Sequence, residues 1–217
     1  MEKQLNKNRI NIIENKKKKY GIMGGTFDPV HLGHLFIAET SQQELGLDKI
    51  LFIPTGDPPH KKNQKITDSY HRLSMVDIAI DNNNSFFLSD IEINREGYSY
   101  TVETIKRLLE LYGTRTELYF ITGTDAFMEI ETWNNYEELF KMVRIVVATR
   151  LGYNDITLNQ KIQFFEEKYK AEIIKLPTPV LEISSSDIRE RIKSEKSIRY
   201  LVPEGVQDYI YINRLYI

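Results

Sequence analysis

Apolar residues along the chain fall into two alternating patterns. Tyr20-Gly21-Ile22-Met23 is a continuous apolar run that stops at Gly24-Gly25, as expected of a strand buried on both faces. From His34 to Leu45, the residues Leu35, Ile37, Ala38 and Leu45 form a helical stripe, and Gly46 stands where a left-handed residue closes a helix. Ile50 to Ile53 repeats the strand pattern and ends at Pro54, and Ser69 to Ile80 carries Leu73, Val76 and Ile80 at helical spacing behind Asp68, a capping residue. Phe86 to Ile93 reads as a strand, and Val102 to Leu111 as a helix with Val102, Ile105, Leu108 and Leu109 inward. Leu118 to Ile121 and Arg144 to Ala148 read as buried strands, Thr157 to Tyr169 as a helix, and Ala171 to Leu176 as a strand. Beyond Pro177 and Pro179, two short helices are expected near Ser186 to Ile192 and Pro203 to Ile212. Strands alternating with helices of this length predict an α/β fold, a parallel sheet with helices on both faces. No repeat or composition break divides it, so a single domain is expected over residues 20–217.

Composition narrows the function. The 217 residues are 41% hydrophobic, enough for a sizeable core. With 29 Lys plus Arg against 31 Asp plus Glu, the net charge of -2 argues against a general nucleic-acid binder. Zero cysteines exclude disulfides, thiolate catalysis and Cys-ligated zinc. No apolar run approaches the roughly 20 residues that span a bilayer, and the first residues lack the apolar stretch of a secretory signal, so a cytoplasmic protein without membrane contact is expected. Residues 1–19, with Lys16 to Lys19 in a row, read as a flexible, solvated basic extension.

In such sheets ligands bind beyond the carboxyl ends of the strands, so the loops there carry the chemistry. Gly24-Gly25-Thr26-Phe27-Asp28-Pro29-Val30-His31-Leu32-Gly33-His34 joins the first strand to the first helix. Two glycines let backbone approach a ligand, the helix start offers free N–H groups to phosphate, and His31 and His34 are close enough to share one anion. Each piece also has a plain reading: a glycine pair is a tight turn, and a histidine at a helix start is a cap. The P-loop and G-x-G-x-x-G patterns are absent. Late in the chain, Ile183-Ser184-Ser185-Ser186-Asp187-Ile188-Arg189 opens a helix. Serines there cap the helix, and Arg189, one turn on, can add a forked cation to a phosphate held at the same end.

Together these segments resemble the two signatures of the nucleotidyltransferase superfamily, G-x-F-D-P-x-H-x-G-H and I-S-S-T-x-x-R, with Ser186 in place of Thr. The resemblance implies a Rossmann-like fold and transfer of a nucleotide monophosphate with release of pyrophosphate. It implies that His31, His34 and Arg189 stabilise the charge that develops, and that Gly24, Gly25, Thr26, Phe27, Ser185 and Ser186 hold ATP.

Further segments resemble the bacterial nicotinate mononucleotide adenylyltransferase family, from about Tyr20 to Ile212. Pro58-Pro59-His60-Lys61 is a stiff basic loop; the resemblance puts it over the site, with His60 and Lys61 binding substrate and Lys61 near the substrate phosphate. Thr101, at a helix start, is expected by resemblance at the pyridine carboxylate. Asp125, in Gly123-Thr124-Asp125, is a helix cap or a ribose ligand by its own chemistry, and the resemblance favours the ribose of ATP. Trp133 lies between Glu131, Thr132, Asn134 and Asn135, without apolar neighbours at regular spacing, which suits a stacking platform. The family stacks the nicotinate ring on this Trp, with Asn134 beside it. Arg150 matches a family arginine, although Leu151 stands where Pro is usual.

The implied reaction is attack of the nicotinate mononucleotide phosphate on the α-phosphorus of ATP. No carboxylate cage for metal is evident, so Mg²⁺ is expected to be held mainly by ATP and water. Transfer to phosphopantetheine or FMN would use the same first loop, but Thr101, Trp133 and the P-P-H-K segment argue against those acceptors. Binding without turnover and metal-dependent phosphohydrolysis are the rivals from other classes. Homo-oligomerisation stays open.

Overall fold

The computed structural model describes residues 17–57, 66–149, 156–179 and 181–217, and the backbone of Arg150. The basic extension before Lys17 and the His60 and Lys61 segment lie outside the described residues, as does Leu151.

Six strands form one parallel sheet: β1 (Lys18–Gly25), β2 (Lys49–Pro54), β3 (Phe86–Leu88), β4 (Thr116–Gly123), β5 (Arg144–Arg150) and β6 (Ile173–Thr178). Their spatial order is β3-β2-β1-β4-β5-β6, so the sheet grows outward in both directions from β1. The order reverses between β1 and β4, whose registers align Ile22 with Phe120. That is where a doubly wound sheet leaves a crevice at its carboxyl edge.

The pleat sends alternate residues into two cores. Ile50 and Phe52 of β2, Tyr119 and Ile121 of β4 and Val146 of β5 belong to one. It is closed by α1 (Leu32–Leu45), α2 (Ser69–Ile80), α7 (Ser185–Lys193) and α8 (Glu204–Ile212). Leu51, Ile53, Leu118, Phe120, Ile145 and Val147 face the other. It is covered by α3 (Thr101–Tyr112), α5 (Tyr136–Met142) and α6 (Ile156–Tyr169), and α4 (Thr124–Met128) adds Phe127. Strands buried on both faces read as unbroken apolar runs for this reason.

Most expected elements stand within a residue or two. Gly46 takes the left-handed conformation at φ 58° that ends α1, and Asp68 caps α2 by accepting from the Tyr70 N–H at 2.9 Å. Three differences matter. Lys18 and Lys19, assigned to the solvated extension, belong to β1 and pair with Thr116 and Glu117. The strand expected over Phe86 to Ile93 stops at Leu88, after which the Ser89 N–H makes a last bond to the Phe52 carbonyl. The following residues form turns, helped by the Asn94 amide on the Asp90 carboxylate and Gly97 at φ 84°. Finally, α4 and α5 were not anticipated, because five and seven residues are too short to show a helical period.

Candidate active site

The loop after β1 is held at every turn. Phe27 adopts φ 49°, an uncommon conformation for a residue with a Cβ and one that only strong surroundings maintain. Its ring is buried in the first core, 5.9 Å from Phe52 and 5.0 Å from His34, so Phe27 supports the loop from below instead of lining a cavity. Asp28 follows, 4% exposed. Its Oδ1 accepts from the Tyr216 hydroxyl at 2.8 Å, its Oδ2 from the Thr67 N–H at 3.4 Å, and its carbonyl from Arg189 Nη1 at 2.7 Å. The Pro29 carbonyl accepts from the Ser185 hydroxyl at 2.8 Å, and the Leu32 N–H is taken by the Leu201 carbonyl at 2.9 Å. The late signature therefore fastens the early one. Ser184 plays the capping part, accepting from the Asp187 N–H at 3.0 Å, and Arg189 Nη2 reaches Ser186 Oγ at 3.3 Å.

Beneath this loop lies Arg72, which the sequence reading passed over. It is 2% exposed, and its guanidinium donates to the carbonyls of Thr26 at 2.8 Å, Thr67 at 2.9 Å and Gly56 at 3.2 Å. It thus ties the first loop to the one leaving β2. A signal was available: Arg72 lies one turn before Val76 and two before Ile80, on the apolar stripe of α2, where a charge needs partners.

His31 caps α1 and His34 sits in its first turn. The rings stack with centroids 3.6 Å apart, and the His31 N–H donates to His34 Nδ1 at 3.2 Å. Burial lowers the His31 pKa to about 4; burial, with His31 alongside, holds His34 well below its usual range. Both imidazoles are therefore neutral at physiological pH and act as hydrogen-bond groups. His31 Nδ1 is buried without a partner, an uncommon state for a polar atom outside a functional site.

Two cavities flank the loop. One is lined by Gly24, Gly25, Thr26, Thr55, Thr101, Thr104, Trp133 and Asn134. Thr101 opens α3, whose N-cap Tyr100 makes no side-chain cap, leaving backbone N–H groups for an anion. Trp133 stands edge-on to Phe120 of β4 at 5.6 Å, so its polar sequence neighbours conceal an apolar partner from a distant strand. Glu92, also unanticipated, lines the same cavity; burial pushes its carboxyl above the usual range while the Thr104 hydroxyl, 2.7 Å away, opposes the shift.

The other cavity is lined by His31, Gly33, His34, Asp125, Thr149, Ser184 and Ser185, among others. Asp125 lies in the first turn of α4, whose N-cap Gly123 ends β4 at the switch point. The structure thus brings His31, His34, Asp125 and Ser185 together. Gly24, Gly25 and Thr26, expected on the ATP side, line the Trp133 side with Thr101 and Asn134. Arg150 ends β5, and its side chain is outside the described residues. Among the described residues no group of three or more His, Asp or Glu side chains is spaced to hold a metal, and no helix is long and apolar enough to cross a membrane.

Comparison with known proteins fits this geometry. The cytidylyltransferase-like family model matches residues 22–191. A protein of Thermoanaerobacter sp. (strain X514) named probable nicotinate-nucleotide adenylyltransferase is 47% identical over 93% of this chain and 95% of its own length. One of the same name from Desulfitobacterium hafniense (strain Y51) is 46% identical over 92% and 96%. Among solved structures, Plasmodium falciparum nicotinic acid mononucleotide adenylyltransferase complexed with NaAD shares the fold, with a TM-score of 0.75 at 23% identity over 92% of this chain and 97% of that one. The chain belongs to the cytidylyltransferase-like family and, within it, to the nicotinate-nucleotide adenylyltransferases.

Proposed function

We propose that the protein transfers the adenylyl group of ATP to nicotinate mononucleotide, forming nicotinate adenine dinucleotide and releasing pyrophosphate in NAD biosynthesis. The observation that carries this reading is the position of one loop between two cavities: an aromatic wall and a helix N-terminus on one side, imidazoles, carboxylates and serine hydroxyls on the other.

The pyridine ring stacks on Trp133, and its carboxylate meets the N-terminus of α3 at Thr101, beside Asn134. ATP occupies the His31 and His34 side with its ribose at Asp125. The acceptor phosphate is already an anion at neutral pH, so no general base is needed; alignment and relief of repulsion supply the catalysis. Neutral His31 and His34 do this by donating hydrogen bonds to phosphate oxygens, and Ser185, Ser186 and Arg189 complete the cradle. His60, Lys61 and Arg150 are assigned to substrate binding, with Lys61 as the residue for the substrate phosphate.

Magnesium would enter with ATP. The cavity offers two carboxylates, Asp125 and Glu182, among imidazoles and hydroxyls, too few for a protein cage and suited to a hydrated ion carried on phosphate oxygens. Bound there, it would neutralise phosphate charge. The proposed place of work is the cytoplasm. The test is pyrophosphate release from ATP with nicotinate mononucleotide, compared with its amide. Release with neither would refute the activity; faster release with the amide would refute the assigned acceptor.

A further inference from the structure

Asp28 lines neither of the two cavities, yet it is held from several sides. Three groups from separate parts of the chain converge on it: Thr67, Arg189 and Tyr216. The third comes from the stretch after α8, beyond the 22–191 span of the family model. That stretch is built to deliver it. Arg214 and Tyr216 take left-handed φ values of 51° and 67°, the Leu215 N–H returns to the Ile210 carbonyl at 3.0 Å, and Leu215 and Tyr216 pack on the first core. Two left-handed side-chain-bearing residues within three positions are costly unless something holds them. Burial and the Asp28 carboxylate keep the Tyr216 phenol protonated, so it is always a donor.

We propose that Tyr216 is a positioning residue for the transfer reaction, fixing through Asp28 the loop that presents His31 and His34. Asp28 precedes His31 by three residues and follows Phe27, whose own conformation stores strain. Removing the phenol donor lets this turn relax, and small displacements of aligned groups cost rate more than they cost binding. The effect on rate rests on the proposed activity; the effect on the loop does not.

Tyr216→Phe removes one hydroxyl and keeps the ring. Pyrophosphate release should then show kcat reduced about tenfold, with KM for ATP within about twofold of the parent. Amide hydrogen exchange should quicken over residues 26–34 and stay unchanged in β5. Tyr209→Phe is the control: its hydroxyl pairs with His71 at 2.9 Å, away from the loop, and its loss should move neither measurement. A parental kcat in an active Tyr216→Phe enzyme, or exchange that quickens evenly across the molecule, would overturn the assignment. If the parent protein itself released no pyrophosphate, the activity would fall while the exchange result still decided whether Tyr216 holds the loop.

Discussion

The His31 N–H points at Nδ1 of His34, 3.2 Å away, which makes that nitrogen an acceptor and leaves the ring proton on Nε2. A neutral, oriented donor is thereby ready before substrate arrives. His34→Ala should lower kcat by at least about 100-fold while circular dichroism and thermal unfolding stay near the parent. Near-normal turnover in a folded mutant would remove His34 from the chemistry.

The same burial makes stability depend on pH. The unfolded His31 takes up a proton near the usual imidazole value of 6.5, whereas the folded one waits until about 4. Between these values the unfolded chain binds more protons, so stability falls as pH drops through that window, by about 2 kcal/mol from His31 alone at about pH 5. Depressed His34 acts in the same direction. Urea unfolding at about pH 7.5 and 5 should therefore show a smaller loss in His31→Asn than in the parent.

Trp133→Ala removes the aromatic wall of one cavity only. Affinity for nicotinate mononucleotide should fall roughly tenfold, as expected for one lost ring–ring contact with its buried area, while ATP affinity is nearly unchanged. Calorimetric titration of each ligand distinguishes this from a general loss of structure, which would weaken both.

Arg72→Leu leaves three inward carbonyls without their donor, at a cost of roughly 3 kcal/mol in unfolding free energy. Arg72→Lys should recover little of it, because a single ammonium lacks the planar fork that reaches Thr26, Gly56 and Thr67 together. Denaturant midpoints of the two variants test this.

Gly56 has no room for a side chain: a Cβ there would stand 2.3 Å from the Glu92 carbonyl. Gly56→Ala must push that backbone away, and with it a wall of the Trp133 cavity. The expected result is a loss of about 1–3 kcal/mol in stability and a raised KM for nicotinate mononucleotide, with KM for ATP little altered.

What the sequence disclosed was whatever depends on near neighbours. Gly46 and Asp68 mark helix ends through local backbone geometry, and unbroken apolar runs announce strands buried on both sides. The two signature loops stood out because their residue types serve one chemistry. Contacts between distant segments left little trace. Trp133 looked isolated because Phe120 is remote in sequence, and Tyr216 gave no hint of Asp28. Arg72 was the exception, a charge on an apolar stripe that announced a buried partner set. The strand expected through Ile93 failed for the opposite reason, since its apolar residues outweighed the turn-forming Asn94 and Gly97 that follow.

The loop from Gly24 to His34 is a party wall between two rooms. A change in the wall is felt by both occupants, whereas a change in the far side of either room concerns one guest alone. On the proposed assignment, acceptor choice can therefore drift through replacements around Trp133 and Thr101 while the opposite cavity remains untouched, which gives one scaffold a route to new acceptors without relearning the transfer step.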